Sequence, residues 1–74
     1  MEEKIMTIIR NQFNLDEDQL DLDTNFQEDL DADSLDLIEM IMVFEDEFNV
    51  EIEDEDVTNI ETVSDAIKEV EKIV

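Results

Sequence analysis

The residue best suited to carry chemistry in this chain is Ser34, which follows the alternating acids Asp29, Asp31 and Asp33. A helix is expected to begin here, and Asp33 can serve as its N-cap, which would leave the Ser34 hydroxyl at the first helical position and directed outwards. The free backbone N–H groups and the positive end of the helix dipole favour a negative group at such a place. The position therefore suits a phosphate ester on Ser34, although helix capping is the usual role of a serine there.

The same acids could support two other chemistries, and both fit less well. Paired carboxylates can act as acid and base only where a pocket shifts one pKa, and a chain of 74 residues has little room for such a pocket. A calcium loop that began at Asp29 would need Gly, an apolar residue and Glu at its sixth, eighth and twelfth positions, where this chain has Ser34, Asp36 and Met40. We therefore expect no catalytic residues, no enzyme activity and no dedicated metal site.

Missing residue types exclude further classes of function. The sequence has no Cys, His or Gly, so it lacks thiol nucleophiles, disulfides, imidazole bases and Gly-rich phosphate loops. No base in the chain can activate a hydroxyl, so any modification of Ser34 must come from another enzyme. The longest apolar run, residues 40–44, is much shorter than the ~20 residues of a membrane span, and residues 1–4 do not resemble a signal peptide. We expect a cytoplasmic protein, with the mature form of an organellar protein as the alternative.

The hydrophobic pattern predicts one small all-α domain over residues 1–74, a four-helix bundle of three longer helices and one short helix. The longer helices are expected at residues 2–14, 34–48 and from residue 62 onwards, and the short one at residues 54–59. No stretch has the period-2 alternation of a strand. Residues 15–32 are expected to form a long ordered loop, a feature that is more often functional than idle.

The helix ends carry their own signals. Asn14 and Asn49 suit the left-handed position that terminates a helix, and residues 62–65 resemble a capping box. Asp54 is the expected cap of the short helix.

Apolar side chains at helical spacing, together with anchors in the loop, make up the predicted core. These residues are Ile5, Ile8, Ile9, Phe13, Leu15, Leu20, Leu22, Phe26, Leu30, Leu37, Ile38, Ile41, Phe44, Phe48, Val57, Ile60, Val63, Ala66, Ile67, Val70 and Val74.

The charges are distributed unevenly. There are 25 acidic and 4 basic residues, for a formal net charge of -21. All four basic residues lie in the two terminal helices, so residues 11–67 contain 21 acids and no basic residue. Such a chain repels nucleic acid and anionic membranes.

Three segments make the sequence similar to a known family. They are Glu-Asp-Leu-Asp-Ala-Asp-Ser-Leu-Asp-Leu-Ile-Glu at 28–39, Phe-Glu-Asp-Glu-Phe at 44–48 and Ile-Glu-Asp-Glu at 52–55. Over essentially its whole length the chain resembles the acyl carrier proteins of dissociated (type II) fatty acid synthesis. It departs from the family pattern at Asp31, where Gly is usual, and at Glu53, where Pro is frequent.

The resemblance implies a function for Ser34. In this family the Ser of Asp-Ser-Leu receives 4'-phosphopantetheine from coenzyme A through a Mg-dependent phosphopantetheinyl transferase. The thiol of that covalent arm carries the growing acyl chain as a thioester, which would allow a Cys-free protein to take part in thiol chemistry.

The resemblance also implies a docking surface and a pocket for the acyl chain. Partner enzymes, the transferase and the enzymes of fatty acid synthesis, are expected to bring basic patches to the helix that begins at Ser34, and the carrier is expected to be a monomer. The docking residues would be the apolar Leu35, Ile38 and Met42 with the acidic Asp33, Asp36, Glu39, Glu45 and Glu51, although Ile38 could equally belong to the core. The acyl-chain pocket would be formed by Phe26, Ile41, Phe44, Val57, Ile60 and Val63.

Two alternatives stay open at the level of sequence. A carrier of the same fold could serve polyketide synthesis, nonribosomal peptide synthesis or aminoacyl transfer to a cell-wall polymer. An unmodified acidic protein could instead act as an interaction or cation-binding module.

Overall fold

The computed structural model describes residues 2–74, with Asp54 described by its backbone only. The chain forms α1 (Glu2–Phe13), a 3-10 turn (Glu17–Gln19), α2 (Ser34–Phe48), α3 (Asp54–Val57) and α4 (Val63–Ile73). Within residues 2–74 there are four α-helices and no strand, which confirms the predicted all-α bundle. No helix in this range is long and apolar enough to cross a membrane.

The helices end where local chemistry predicts. Asn14 and Asn49 have φ of 59° and 56°, the left-handed conformation expected of them. At the start of α4, the Thr62 hydroxyl accepts the Asp65 N–H at 3.3 Å and the Asp65 carboxylate accepts the Thr62 N–H at 3.1 Å, so the predicted capping box is confirmed. The predicted cap at Asp54 concerns a side chain outside the described residues.

The segment between α1 and α2 is ordered by hydrogen bonds to the start of α4. The Phe26 N–H donates to the Glu61 carbonyl at 2.9 Å, and the Val63 N–H donates to the Thr24 carbonyl at 3.0 Å. Both the Phe26 and the Thr24 side chains are buried. The loop therefore forms one wall of the core, as its apolar anchors predicted.

The core departs from the prediction at six positions. Ile38, Leu22 and Val74 are 48%, 43% and 61% exposed. Three residues absent from the predicted core are buried, Ala32, Met40 and Ile52, and Met40 is completely buried. The buried positions of α2 are residues 37, 40, 41 and 44, a strict i, i+3, i+4, i+7 stripe, and Ile38 lies about 100° around the helix from Leu37.

Leu22 and Val74 have local reasons for their exposure. Leu22 contributes its backbone to the fold, since its carbonyl accepts the Ser64 N–H at 3.0 Å. Val74 lies beyond the last residue of α4, Ile73.

Candidate functional site

Ser34 is the first residue of α2, and its neighbours free it from the capping role. Asp33 is the N-cap: its carboxylate accepts the Asp36 N–H at 3.0 Å, and the Asp36 carboxylate accepts the Asp33 N–H at 3.2 Å. The Ser34 side chain is exposed, and its hydroxyl has no hydrogen-bond partner within the described part of the chain. The structure thus has Asp33 in the role predicted for it, with the Ser34 hydroxyl open to another molecule.

An apolar cleft of about 450 Å³ lies beside this hydroxyl. One wall comes from Leu37 and Ile38 of α2, and the other from the end of α3 and the segment after it. The residues that line the cleft are Gln27, Ser34, Leu37, Ile38, Val57, Thr58 and Ile60. A chain attached to Ser34 could therefore pass directly from solvent onto apolar side chains.

The six residues predicted to contact an acyl chain divide into two groups. Val57 and Ile60 line the cleft. The other four, Phe26, Ile41, Phe44 and Val63, do not line it and are buried in the core to which Ile60 also belongs. The cleft is thus continuous with a core that is closed in this structure.

The outward face of α2 is apolar with an acidic border. The three predicted apolar docking residues, Leu35, Ile38 and Met42, are 62%, 48% and 60% exposed. For Ile38, the structure favours the surface position over the core position. The predicted acidic residues are exposed at Asp33, Glu39 and Glu51 and half-buried at Asp36 and Glu45.

Besides Asp33 and Asp36, which cap α2, two more of these acids have structural contacts. The Glu45 carboxylate accepts the Ile52 N–H at 2.8 Å and so fastens α2 to the segment that leads into α3. Glu39 accepts a longer hydrogen bond, 3.4 Å, from the Gln12 amide. Charge changes at Glu45 would therefore disturb the fold as well as the surface.

The ion pairs of the described residues leave this acidic border unneutralised. Lys4 pairs with Glu47 at 2.9 Å, and Lys72 lies 3.9 Å from Asp56 and 3.5 Å from Glu69. None of these acids belongs to the predicted docking set. Within the described residues, no three carboxylates are grouped so that they could hold a metal ion.

Comparison with known proteins identifies the family. A family model described as the phosphopantetheine attachment site matches residues 3–70. A curated acyl carrier protein from Petrotoga mobilis is 49% identical over 65 residues, which cover 88% of this chain and 76% of that protein. The chain belongs to the acyl carrier proteins. The crystal structure of the acyl carrier protein from Thermotoga maritima, 38% identical, superposes with a TM-score of 0.77 over 95% of this chain and 81% of that one.

Membership of the acyl carrier proteins confirms the predicted carrier function and the predicted cofactor, 4'-phosphopantetheine. Fatty acid synthesis is the standard role of this family. The site geometry fits such a group, because the Ser34 hydroxyl is exposed and unpartnered and an apolar cleft opens beside it.

Three residues near the site were not predicted from the sequence. Val43 is 38% exposed and adds to the apolar face of α2. Gln27 and Thr58 line the cleft although they lie in segments that are far apart in the chain. The helical period of α2 could have indicated that Val43 is exposed. That Gln27 and Thr58 line the same cleft depends on how the loop packs, and no pattern in the sequence indicates it.

Proposed function

We propose that Ser34 is the attachment residue of the arm, and that the loaded protein is a non-enzymatic, cytoplasmic, monomeric carrier of fatty acyl intermediates. The supporting observation is the exposed, unpartnered Ser34 hydroxyl at the first turn of α2, next to an apolar cleft. The arm supplies the thiol on which an acyl group is carried as a thioester.

Attachment would be a phosphoryl transfer in which this chain supplies only the nucleophile. The Ser34 oxygen attacks the phosphorus of coenzyme A that bears pantetheine, the new O–P bond forms, and adenosine 3',5'-bisphosphate leaves. The hydroxyl proton goes to a base of the transferase, because this chain has no His and the carboxylates of Asp33 and Asp36 are engaged in capping α2. The free N–H groups of the first turn of α2 favour the phosphate that results.

Delivery would use the outward face of α2. Its apolar strip, Leu35, Ile38 and Met42, provides contact area, and the unneutralised acids around it attract basic patches of the transferase and of fatty acid synthesis enzymes. Electrostatic attraction of this kind gives fast, salt-sensitive and weak association, which suits a carrier that visits many enzymes.

The chain offers a matched test of the attachment residue. Its other serine, Ser64, also lies in the first turn of a helix, α4. With coenzyme A, Mg and a broad-specificity transferase, mass spectrometry should detect one arm on the wild type and on Ser64→Ala, and none on Ser34→Ala. An arm on the Ser34→Ala protein would overturn the assignment.

The attached groups distinguish the fatty acid pathway from the other carrier pathways. Intact mass spectrometry of the protein purified from its own cells should detect saturated and partly reduced fatty acyl groups. Aminoacyl or polyketide groups instead would assign the carrier to another pathway.

A further inference from the structure

Two polar residues of the cleft, Gln27 and Thr58, have no role in the function proposed above. The other lining residues are the attachment residue Ser34 and four apolar side chains. We propose that Gln27 and Thr58 hold one amide of the arm by a pair of hydrogen bonds, with Gln27 as donor and Thr58 as acceptor. This inference rests on attachment of the arm to Ser34.

Gln27 has a fixed backbone and a free side chain. Its N–H donates to the Asn25 side-chain oxygen at 2.9 Å, and the Asn25 N–H donates to the Asp29 carboxylate at 2.8 Å. These bonds hold the loop beside the cleft, while the Gln27 side-chain amide has no hydrogen-bond partner among the side chains and backbone that the structure describes. Its NH₂ group can therefore donate to a carbonyl in the cleft.

Thr58 is restricted to the complementary role. Its hydroxyl donates to the Glu55 carbonyl at 2.7 Å, so its hydrogen is already used. A hydroxyl oxygen keeps lone pairs when it donates, and Thr58 can still accept an N–H from within the cleft. A donor and an acceptor that line one cleft match the carbonyl and the N–H of a secondary amide.

The lining favours the arm over other ligands. The described residues of the lining include no Lys, Arg, Asp or Glu, so an ionised group would find no partner of opposite charge among them. 4'-Phosphopantetheine has two secondary amides and begins at Ser34, whereas an acyl chain is mostly hydrocarbon. The amide pair would hold the arm along the cleft and direct the thioester and its acyl chain towards Val57 and Ile60.

The test measures hydrogen exchange of the two arm amides by NMR in the holo protein. Gln27→Met and Thr58→Val remove the donor and the acceptor at nearly constant size. The matched controls are Gln12→Met and Thr7→Val, at residues that do not line the cleft. Thr7 matches Thr58 because its hydroxyl also donates to a backbone carbonyl, that of Glu3, at 2.9 Å. Mass spectrometry first verifies that each protein carries the arm on Ser34.

We expect one arm amide to exchange about fivefold faster in Thr58→Val than in the wild type, the factor for loss of one typical hydrogen bond. Gln27→Met should accelerate the same amide, and the controls should leave it unchanged. The Gln27 side-chain NH₂ signals should shift when the apo protein is converted to holo.

Two results would overturn the inference, and they can be told apart. Arm amides that exchange equally fast in the wild type, both cleft variants and both controls would exclude the hydrogen bonds and leave the proposed function intact. Failure of Ser34 to accept the arm would refute the proposed function itself and, with it, this inference.

Discussion

At the scale of single residues, Asp31 has an unusual backbone conformation, with φ of 54° in the turn that leads into α2. This is where the family usually has Gly, which occupies that conformation without the steric cost of a Cβ atom. Asp is one of the few other residues that tolerate it. The turn is fixed by the next residue, Ala32, which is buried and donates its N–H to the Phe26 carbonyl at 2.8 Å.

The first prediction concerns this turn. Asp31→Ala should lower the free energy of unfolding by about 1 kcal/mol, because Ala has a Cβ and no side-chain oxygen to stabilise the left-handed conformation. Asp31→Gly should unfold at a higher temperature than Asp31→Ala. Thermal melts by circular dichroism measure both, with Asp23→Ala as a control that removes the same charge at a residue without positive φ. Equal melting temperatures for the Gly and Ala variants would exclude a conformational cost at Asp31.

The second prediction concerns Asp65. Burial tends to raise the pKa of this carboxyl, but backbone N–H groups of Glu61 and Thr62, the Thr62 hydroxyl and the positive charge of Lys68 together lower it below its ordinary value. The folded state therefore favours the ionised form of Asp65. Its contribution to the free energy of unfolding is fully present above the pKa of the unfolded state, about 3.9. That contribution is lost as the pH falls through the lower pKa of the folded state.

Asp65→Asn should thus cost about 0.5 kcal/mol at pH 6, the lower end of the range for capping bonds. The difference from the wild type should begin to shrink as the pH falls below the unfolded pKa, about 3.9, and should disappear below the lower pKa of the folded state, where the wild-type carboxyl is neutral in both states. Urea unfolding at several pH values measures this, with Glu71→Gln, an exposed acid of the same helix, as the control. A difference that stayed constant down to pH 3 would show that the charge on Asp65 has no part in the cap.

At the scale of elements, the sequence predicted helix boundaries best, because each boundary is set by interactions between residues close together in the chain. The ends of α1, α2 and α4 follow from one Asn or one capping box each, and those interactions span four residues or fewer. The face of α2 was harder to predict. Residues 37–44 are apolar except at Glu39, so periodicity alone could not separate the buried Met40 from the exposed Ile38.

The cleft was the least predictable part of the site. Its walls come from α2, from the loop at Gln27 and from residues 57–60, and no short-range pattern indicates that these segments meet. Val57 and Ile60 could be named from the sequence because the family resemblance implied an acyl pocket. Gln27 and Thr58 could not be named, since polar residues in loops are usually solvated.

The third prediction tests α2 as the docking element. Glu39→Lys should slow acyl transfer from partner enzymes several-fold, mainly through a lower association rate, because the change reverses an exposed charge beside the apolar strip. Glu2→Lys makes the same charge change in α1, the helix that already carries Lys4 and Arg10, and should have little effect. Stopped-flow measurements at low and high salt compare the two. Equal losses would mean that net charge matters and that α2 has no special role.

At the scale of the whole molecule, cargo and stability are linked. An acyl chain longer than the cleft would have to separate the side chains of the closed core, such as Phe26 and Phe44, which are fully buried. Each CH₂ removed from water contributes about 0.8 kcal/mol, which for a medium chain can exceed the packing that is lost.

The fourth prediction follows from that balance: the acylated protein should melt at a higher temperature than the holo protein without an acyl group. The difference should increase with chain length until the space is filled. Melting curves for a series of acyl lengths measure it, and a melting temperature that is independent of chain length would place the chain in solvent.

The last prediction concerns the net charge of -21. The molecule measures 28 × 22 × 17 Å, so at 0.01 M salt, where the Debye length is about 30 Å, its exposed acids repel one another across the whole structure. At 0.15 M the Debye length falls to about 8 Å and only near neighbours interact. A domain of this size has only a few kcal/mol of stability, so repulsion should partly unfold it at low salt and neutral pH.

The helical content should increase again when NaCl is added or when mild acidification neutralises some carboxylates. At matched ionic strength, millimolar MgCl₂ or CaCl₂ should restore it most effectively. Because no three carboxylates of the described residues are grouped to hold a metal ion, the divalent ions should act by general accumulation on the acidic surface, and Mg²⁺ and Ca²⁺ should act alike. Circular dichroism titrations compare the three salts. A much larger effect of Ca²⁺ than of Mg²⁺ on the helical content would reveal a specific site. A melting temperature unaffected by any salt would mean that repulsion between the acids hardly lowers the free energy of unfolding.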